Sequence, residues 1–340
     1  MAEEQTPPED PRGWREIATL VAVALAVVVA AELAVRRVVP DEPPIPEVAD
    51  GVADLEAGNP ELLILGSSHA RSFYAVVDRL EPGRAVVVPA EGGTFQVFDW
   101  ILQHRLSPLI EARTPAGAKV RDRLERLVLV TTYWDMCPAE YAHFEGNLPA
   151  RSWTFDHYAA DVLRDGMDPL NRNFVQARFK QIFGFSLLAR ERGELPTALR
   201  EALQPPDRDA RFEHRIAVRR DEIEGVEYDV CWDPAGRAAF DAIVDYTQAQ
   251  GLELTVVLFP LLPATITPKA QATTLARYAE WVKQRAATEG FQVVDMTLGG
   301  PLERDDFELD CDHVTPAGNE RFAEWALGGP LRILHAEGAR

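Results

Sequence analysis

Cysteine is scarce: Cys137, Cys231 and Cys311 are the three in 340 residues. They lie too far apart to form the clustered spacing of a metal site, so no metal is expected and no cofactor is called for. An odd count leaves at least one thiol free in an oxidising compartment. Cys311 is expected to be a free, buried thiol, while a Cys137–Cys231 bridge stays open. Basic residues are short as well, with 35 Lys and Arg against 54 Asp and Glu, a net charge of −19. Such a field repels phosphate backbones and other anionic polymers, which excludes a nucleic-acid partner. No internal repeat is present, which excludes a solenoid.

An apolar content of 46% excludes disorder across the whole chain. The length permits one large domain, or one domain with an insertion. Residues 1–16 are polar and proline-rich and read as disordered. Ile17–Val35 is almost wholly Ala, Val and Leu, with Arg36 and Arg37 closing the segment at 37. About 19 residues at ~1.5 Å rise reach roughly 28 Å, close to the hydrocarbon thickness of a bilayer. A single transmembrane anchor over 17–37 is the leading reading. A cleaved signal peptide and a buried helix are the alternatives, the former lacking a clear Ala-x-Ala site. Residues 38–60, rich in Pro, Asp and Glu, read as a stiff tether.

The domain is expected over 61–330, with a short tail at 331–340. Strands are predicted at Leu62–Leu65, Ala85–Val88, Leu127–Thr131, Leu254–Phe259 and Phe291–Val294. Helices are predicted at Thr94–His104, Pro234–Gln250, Ala270–Thr288 and from Pro316 to about Leu327. Strands alternating with helices imply an α/β fold, a flavodoxin-like three-layer sandwich with about five parallel strands. From about 136 to 232 the pattern lapses into a helical insertion, with helices near Asp156–Arg164, Asn173–Arg192 and Thr197–Leu203. This insertion is either a cap over the active edge or a passive appendage. The basic run Arg211–Arg220 reads as a solvated face.

Chemistry concentrates at the two ends of the domain. Gly66-Ser67-Ser68 ends the first strand, and Asp310-Cys311-Asp312-His313 precedes the last helix. A serine hydroxyl becomes a nucleophile when a base takes its proton, and a carboxylate holds that base in the right tautomer. Ser68 is the candidate nucleophile, His313 the base and Asp310 the orienting acid. Asp312 is the alternative acid, less favoured because neighbouring side chains diverge. His69 follows the nucleophile and reads as structural or as a substrate contact. Thr315-Pro316 marks a helix start that holds the histidine loop.

These segments resemble the SGNH (GDSL-like) hydrolase family, whose nucleophile sits in a Gly-Asp-Ser after the first strand and whose Asp-x-x-His lies near the C-terminus. Ser67 replaces the middle Asp. That replacement is similar to the membrane-tethered branch, which includes alginate-acetylation and D-alanine-transfer proteins. The resemblance spans roughly 60 to 330. The competing Gly-x-Ser-x-Gly elbow is nearly matched by Gly66-x-Ser68-x-Ala70. That fold places several strands before its serine and a long gap between its acid and its histidine, so it is rejected. The resemblance implies an oxyanion glycine in Glu91-Gly92-Gly93-Thr94, best at Gly93 with Gly92 next. It also implies an Asn donor where this chain has Trp134. The indole has one N–H to offer instead.

Two functions follow. One is a membrane-anchored serine esterase or O-acyltransferase acting on an acylated envelope glycan or another small ester. The other is a catalytically weak or inactive scaffold on the same fold within an envelope polysaccharide assembly. The resemblance implies an inner-membrane protein with a single span and a domain facing the periplasm or exterior. It also implies a multi-spanning membrane acyl-transfer partner. Protease added to intact spheroplasts should therefore digest the domain. Full protection, or clean release into the soluble fraction, would count against the anchored topology.

Overall fold

The computed structural model describes Thr19, Val23 and residues 48–137, 208–225, 232–298, 300–329 and 331. Those from 48 onward belong to one unit, Ile45–Arg178 with Pro205–Arg340. Apart from Thr19 and Val23, the expected span at 17–35 lies outside the described residues. So do the predicted helices between 156 and 203. Among the described residues no helix is long and apolar enough to cross a membrane.

Five strands form one parallel sheet: β1 (Leu62–Gly66), β2 (Ala85–Pro89), β3 (Arg126–Thr131), β4 (Glu253–Leu258) and β5 (Gln292–Asp295). Their order is β2-β1-β3-β4-β5, the doubly wound order of flavodoxin-like folds. Every residue of β1 and β2 is buried. That explains their unbroken apolar runs, because both faces of a parallel sheet are covered. Side chains alternate between the faces. Leu63, Leu65, Leu127, Leu129, Val256 and Leu258 enter one core cluster, and Leu62, Ile64, Val128, Val130 and Val257 the other.

The first cluster is covered by α1 (Val48–Ala57), α2 (Phe95–Ile101), α4 (Pro234–Gln250) and α5 (Ala276–Glu289). α2 runs on through a π-helical turn, Leu102–Leu106, to Ile110. α4 is capped by Asp233, whose carboxylate accepts the Gly236 N–H, and is closed by left-handed Gly251. The second cluster is covered by the 3-10 helix Ser68–Phe73, α3 (Arg208–Gly225) and α6 (Pro316–Gly328). Phe73, Phe259 and Phe322 meet at its centre, with ring centroids 5.1 and 5.5 Å from Phe322.

Three expectations need correction. Residues 48–57 are not tether. Val48, Val52 and Leu55 repeat at helical spacing and are buried against the core. Arg121, itself buried, donates to the carbonyls of Leu55 at 2.7 Å and Glu56 at 2.8 Å, satisfying the end of α1. At the other boundary Leu331 is fully buried, so the domain reaches past 330. The basic run at 211–220 is not simply solvated. Phe212 and Ile216 are buried, and Arg220 donates to the Ala264 carbonyl at 2.6 Å.

Leu55→Ala should lower unfolding stability by about 2–4 kcal/mol, because a fully buried leucine leaves a cavity. Urea denaturation measures it. A change under ~0.5 kcal/mol would mean that α1 is not part of the folded domain.

Candidate active site

Ligands of open parallel sheets bind at the carboxyl ends of the strands, where the strand order reverses. Here that point lies between β1 and β3. Ser67, Ser68 and His69 leave the end of β1, and Thr132–Asp135 leave the end of β3. Gly66 is required by the sheet itself: a Cβ there would run into the Val130 carbonyl of β3. Ser67 is the extended N-cap of the 3-10 helix, and Ser68 is its first residue and is buried. As a first-turn residue, Ser68 has a backbone N–H without an intrahelical partner.

The second contribution comes from the turn before α6. Glu308 N–H donates to the His313 carbonyl at 2.8 Å, and Phe307 bridges Val314 in antiparallel fashion. Within this loop Asp310 organises everything. Its Oδ1 accepts the backbone N–H of Asp312 and of His313, each at 3.0 Å. Its Oδ2 lies 2.5 Å from Nδ1 of His313. A carboxylate only accepts, so Nδ1 carries the proton and Nε2 presents its lone pair. Cys311 turns the chain at φ 65°, a left-handed value disfavoured for a residue with a Cβ. Thr315 then caps α6 by accepting the Gly318 N–H at 3.1 Å.

The two segments meet through their imidazoles. His69 and His313 stack with centroids 5.8 Å apart and planes inclined by 16°. Nε2 of His313 is buried and makes no hydrogen bond. The expected Ser68–His313 hydrogen bond is therefore not formed in this state. Catalytic hydrogen bonds often tighten only when substrate is present.

A second chain of contacts runs beside the first. Ser67 Oγ lies 3.0 Å from His69 Nδ1, and His69 Nε2 lies 3.3 Å from Asp312 Oδ1. Asp312 Oδ2 pairs with Arg219 of α3 at 2.9 Å. Asp312 and Asp310 thus serve different histidines. The sequence contained all of these residues, but nothing in it joined Arg219 to Asp312.

Each charge shift has a local cause. The hydrogen bond to Asp310 holds His313 above its ordinary value, against the pull of burial. Burial pushes Asp310 up, but the bond and charge of His313 together with two backbone N–H groups bring it below the usual range. Burial likewise opposes Asp312, yet His69 and Arg219 hold it far below. Burial lifts Asp135 to about 7, partly offset by His69. Burial also raises the Cys311 thiol to about 11, so it stays protonated. That thiol is free and buried, as expected, whereas Cys137 is disulfide-bonded. Cys231 lies outside the described residues.

The glycine loop after β2 places its two members differently. Gly93 N–H donates to the Ala90 carbonyl at 2.8 Å, closing a turn. A Cβ on Gly93 would strike Phe98, and Gly92 is left-handed at φ 60°. Among the described residues the Gly92 N–H has no backbone partner. Arg71 of the Ser68–Phe73 helix reaches this loop through Glu91, 2.5 Å away. Trp134 packs against the α2/α4/α5 side of the sheet and meets Tyr133 edge-on at 6.2 Å. Its neighbour Asp135 is buried and closes a capping box with Thr132, accepting that N–H at 2.9 Å. Among the described residues no cluster of three or more His, Cys, Asp or Glu is placed to hold a metal.

No family model and no curated protein matches this chain. Among solved structures it is similar to an inferred acylhydrolase from Bacteroides fragilis, at 10% identity and a TM-score of 0.39, over 84% of this chain and 95% of that one. It is also similar to a GDSL-like lipase from Bacteroides thetaiotaomicron, at 9% identity and a TM-score of 0.38, over 85% and 98% of the two chains. Likeness this low carries nothing about the chemistry of this chain.

The stability that His313 contributes is full below its ordinary value near 6.5 and is lost as pH rises through the raised folded value. An NMR titration of the ring should thus give a midpoint above 6.5. Asp310→Asn should lower that midpoint. A midpoint unmoved by Asp310→Asn would show that the carboxylate does not hold the ring in solution.

Proposed function

We propose that this protein is a serine ester hydrolase or O-acyltransferase of the SGNH (GDSL-like) type. The observation that carries the reading is the state of His313. Asp310 holds its Nδ1, and its Nε2 is buried, unpaired and beside the turn that bears Ser68. An unpaired, buried nitrogen is costly unless a reacting group uses it.

In this reading substrate binding brings Ser68 Oγ to Nε2. The oxygen attacks the ester carbonyl while Nε2 takes its proton. The resulting oxyanion is held by the N–H of Ser68 and the N–H of Gly92, with Gly93 shaping the turn behind them. Collapse breaks the ester C–O bond, and His313 returns its proton to the departing alcohol. The acyl group then rests on Ser68. Water as acceptor completes hydrolysis, and a sugar hydroxyl completes transfer. Trp134 contributes packing at the strand end rather than an oxyanion donor.

The membrane-tethered assignment rests on the apolar run Ile17–Val35 and on the disulfide at Cys137, a bond favoured in oxidising compartments. An inner-membrane protein facing the periplasm or exterior fits both. An acylated envelope glycan as substrate and a multi-spanning acyl-transfer protein as partner rest on the family resemblance alone.

One observation favours a second nucleophile. Ser67, His69 and Asp312 already form a connected Ser-His-Asp chain. Against it, the acid of this chain is shared with Arg219.

A fluorophosphonate probe separates these readings. Ser68→Ala should abolish labelling, and peptide mapping of the wild type should place the adduct on Ser68. Ser67→Ala should keep labelling, at a rate reduced about tenfold or less. An adduct on Ser67 would transfer the nucleophile to the second chain. Absence of labelling and of ester turnover, with Ser68→Ala fully functional in cells, would leave the scaffold reading.

A further inference from the structure

We infer that Arg219 is a positioning residue for the base: from α3, in the insertion, it holds Asp312 against His69 and thereby His69 against His313. The inference rests on the proposed role of His313, and it extends that role to the insertion.

Four contacts carry it. Arg219 Nη2 lies 2.9 Å from Asp312 Oδ2. The other oxygen of Asp312 lies 3.3 Å from His69 Nε2. The far nitrogen of His69 engages Ser67, next to the nucleophile, at 3.0 Å. The face of His69 stacks on His313. α3 is itself fixed. Phe212 and Ile216 are buried, Arg220 holds the Ala264 carbonyl at 2.6 Å, and Arg304 pairs with Glu213 at 2.8 Å. An anchored helix can therefore set where the guanidinium sits, and a guanidinium presents a rigid fork to a carboxylate.

The arrangement solves an electrostatic problem. His313 must accept a proton and later release it. Two carboxylates beside it, Asp310 and Asp312, would overstabilise the imidazolium. Arg219 balances Asp312 so that one acid, Asp310, acts on the base directly. The charged and titratable groups facing His313 are Asp310 and Asp312 on its own turn and Arg71 on the nucleophile helix. His69 faces it as a ring. His69 in turn faces Asp312 and, from the turn after β3, Asp135. Arg219 enters this set from α3, through Asp312.

The test follows the ring titration of His313 by NMR in the full chain, with Arg219→Met, Arg219→Lys and Asp312→Asn. Arg219→Met removes a positive charge and should raise the midpoint by about half a unit or more. Arg219→Lys should give a midpoint between those of wild type and Arg219→Met, because lysine keeps the charge and lacks the fork. Asp312→Asn removes a negative charge and should move the midpoint the opposite way. The acidic limb of fluorophosphonate labelling against pH should shift in step. A role in packing alone would slow labelling equally at every pH and leave the midpoint still. That result, or an unchanged midpoint in a folded Arg219→Met, overturns the inference. Midpoints that shift as stated, in a protein whose Ser68 never labels, keep the network and refute the hydrolytic reading instead.

Discussion

A parallel sheet buried on both faces has no solvent side, and that constraint organises this protein. β1 and β2 have no exposed position. Groups that must meet substrate can only stand where the strands end. The doubly wound order opens one crevice there, between β1 and β3. Ser68, His69 and Asp135 stand at those two strand ends for the same reason that the strands are apolar.

The loop before α6 brings His313 to that edge. Asp310 takes two backbone N–H groups and a ring N–H. One side chain thus shapes the turn and selects the tautomer of His313. The cost is the left-handed backbone of Cys311. Asp312, two residues on, is released from any such duty. It faces the other imidazole and the insertion helix. Consecutive carboxylates in one short loop therefore serve separate histidines, and the stacked rings are where the two systems touch.

Much of the fold was legible because it depends on local pattern. The five apolar runs became the five strands, shifted by a residue or so at their ends. α4 was expected over Pro234–Gln250, the range it occupies, and Thr315-Pro316 marked α6. α1 was not legible. Its three buried apolar side chains, Val48, Val52 and Leu55, are interrupted by Asp50, Gly51 and Asp54 and follow a proline-rich stretch, so the amphipathic signal is short. Its stability comes from packing on β2 and from Arg121, which is distant in sequence. The Asp310–His313 contact was legible because it is confined to one turn. The pairing of Ser67 with His69 was equally local, yet it was overlooked because Ser67 was read only as the replacement for the family's middle Asp.

By itself, the sequence determined the alternation of strands and helices, the serine at the first strand end and the Asp-x-x-His turn before the last helix. Each depends on neighbours within a few residues, so periodicity, caps and spacing express it directly. Only the tertiary structure decided that Asp312 meets His69, that Trp134 packs against the core while Asp135 lies close enough to feel His69, and that Arg219 reaches Asp312. Those choices join residues tens to hundreds apart, and they depend on which sheet face each side chain enters and on how the buried charges balance.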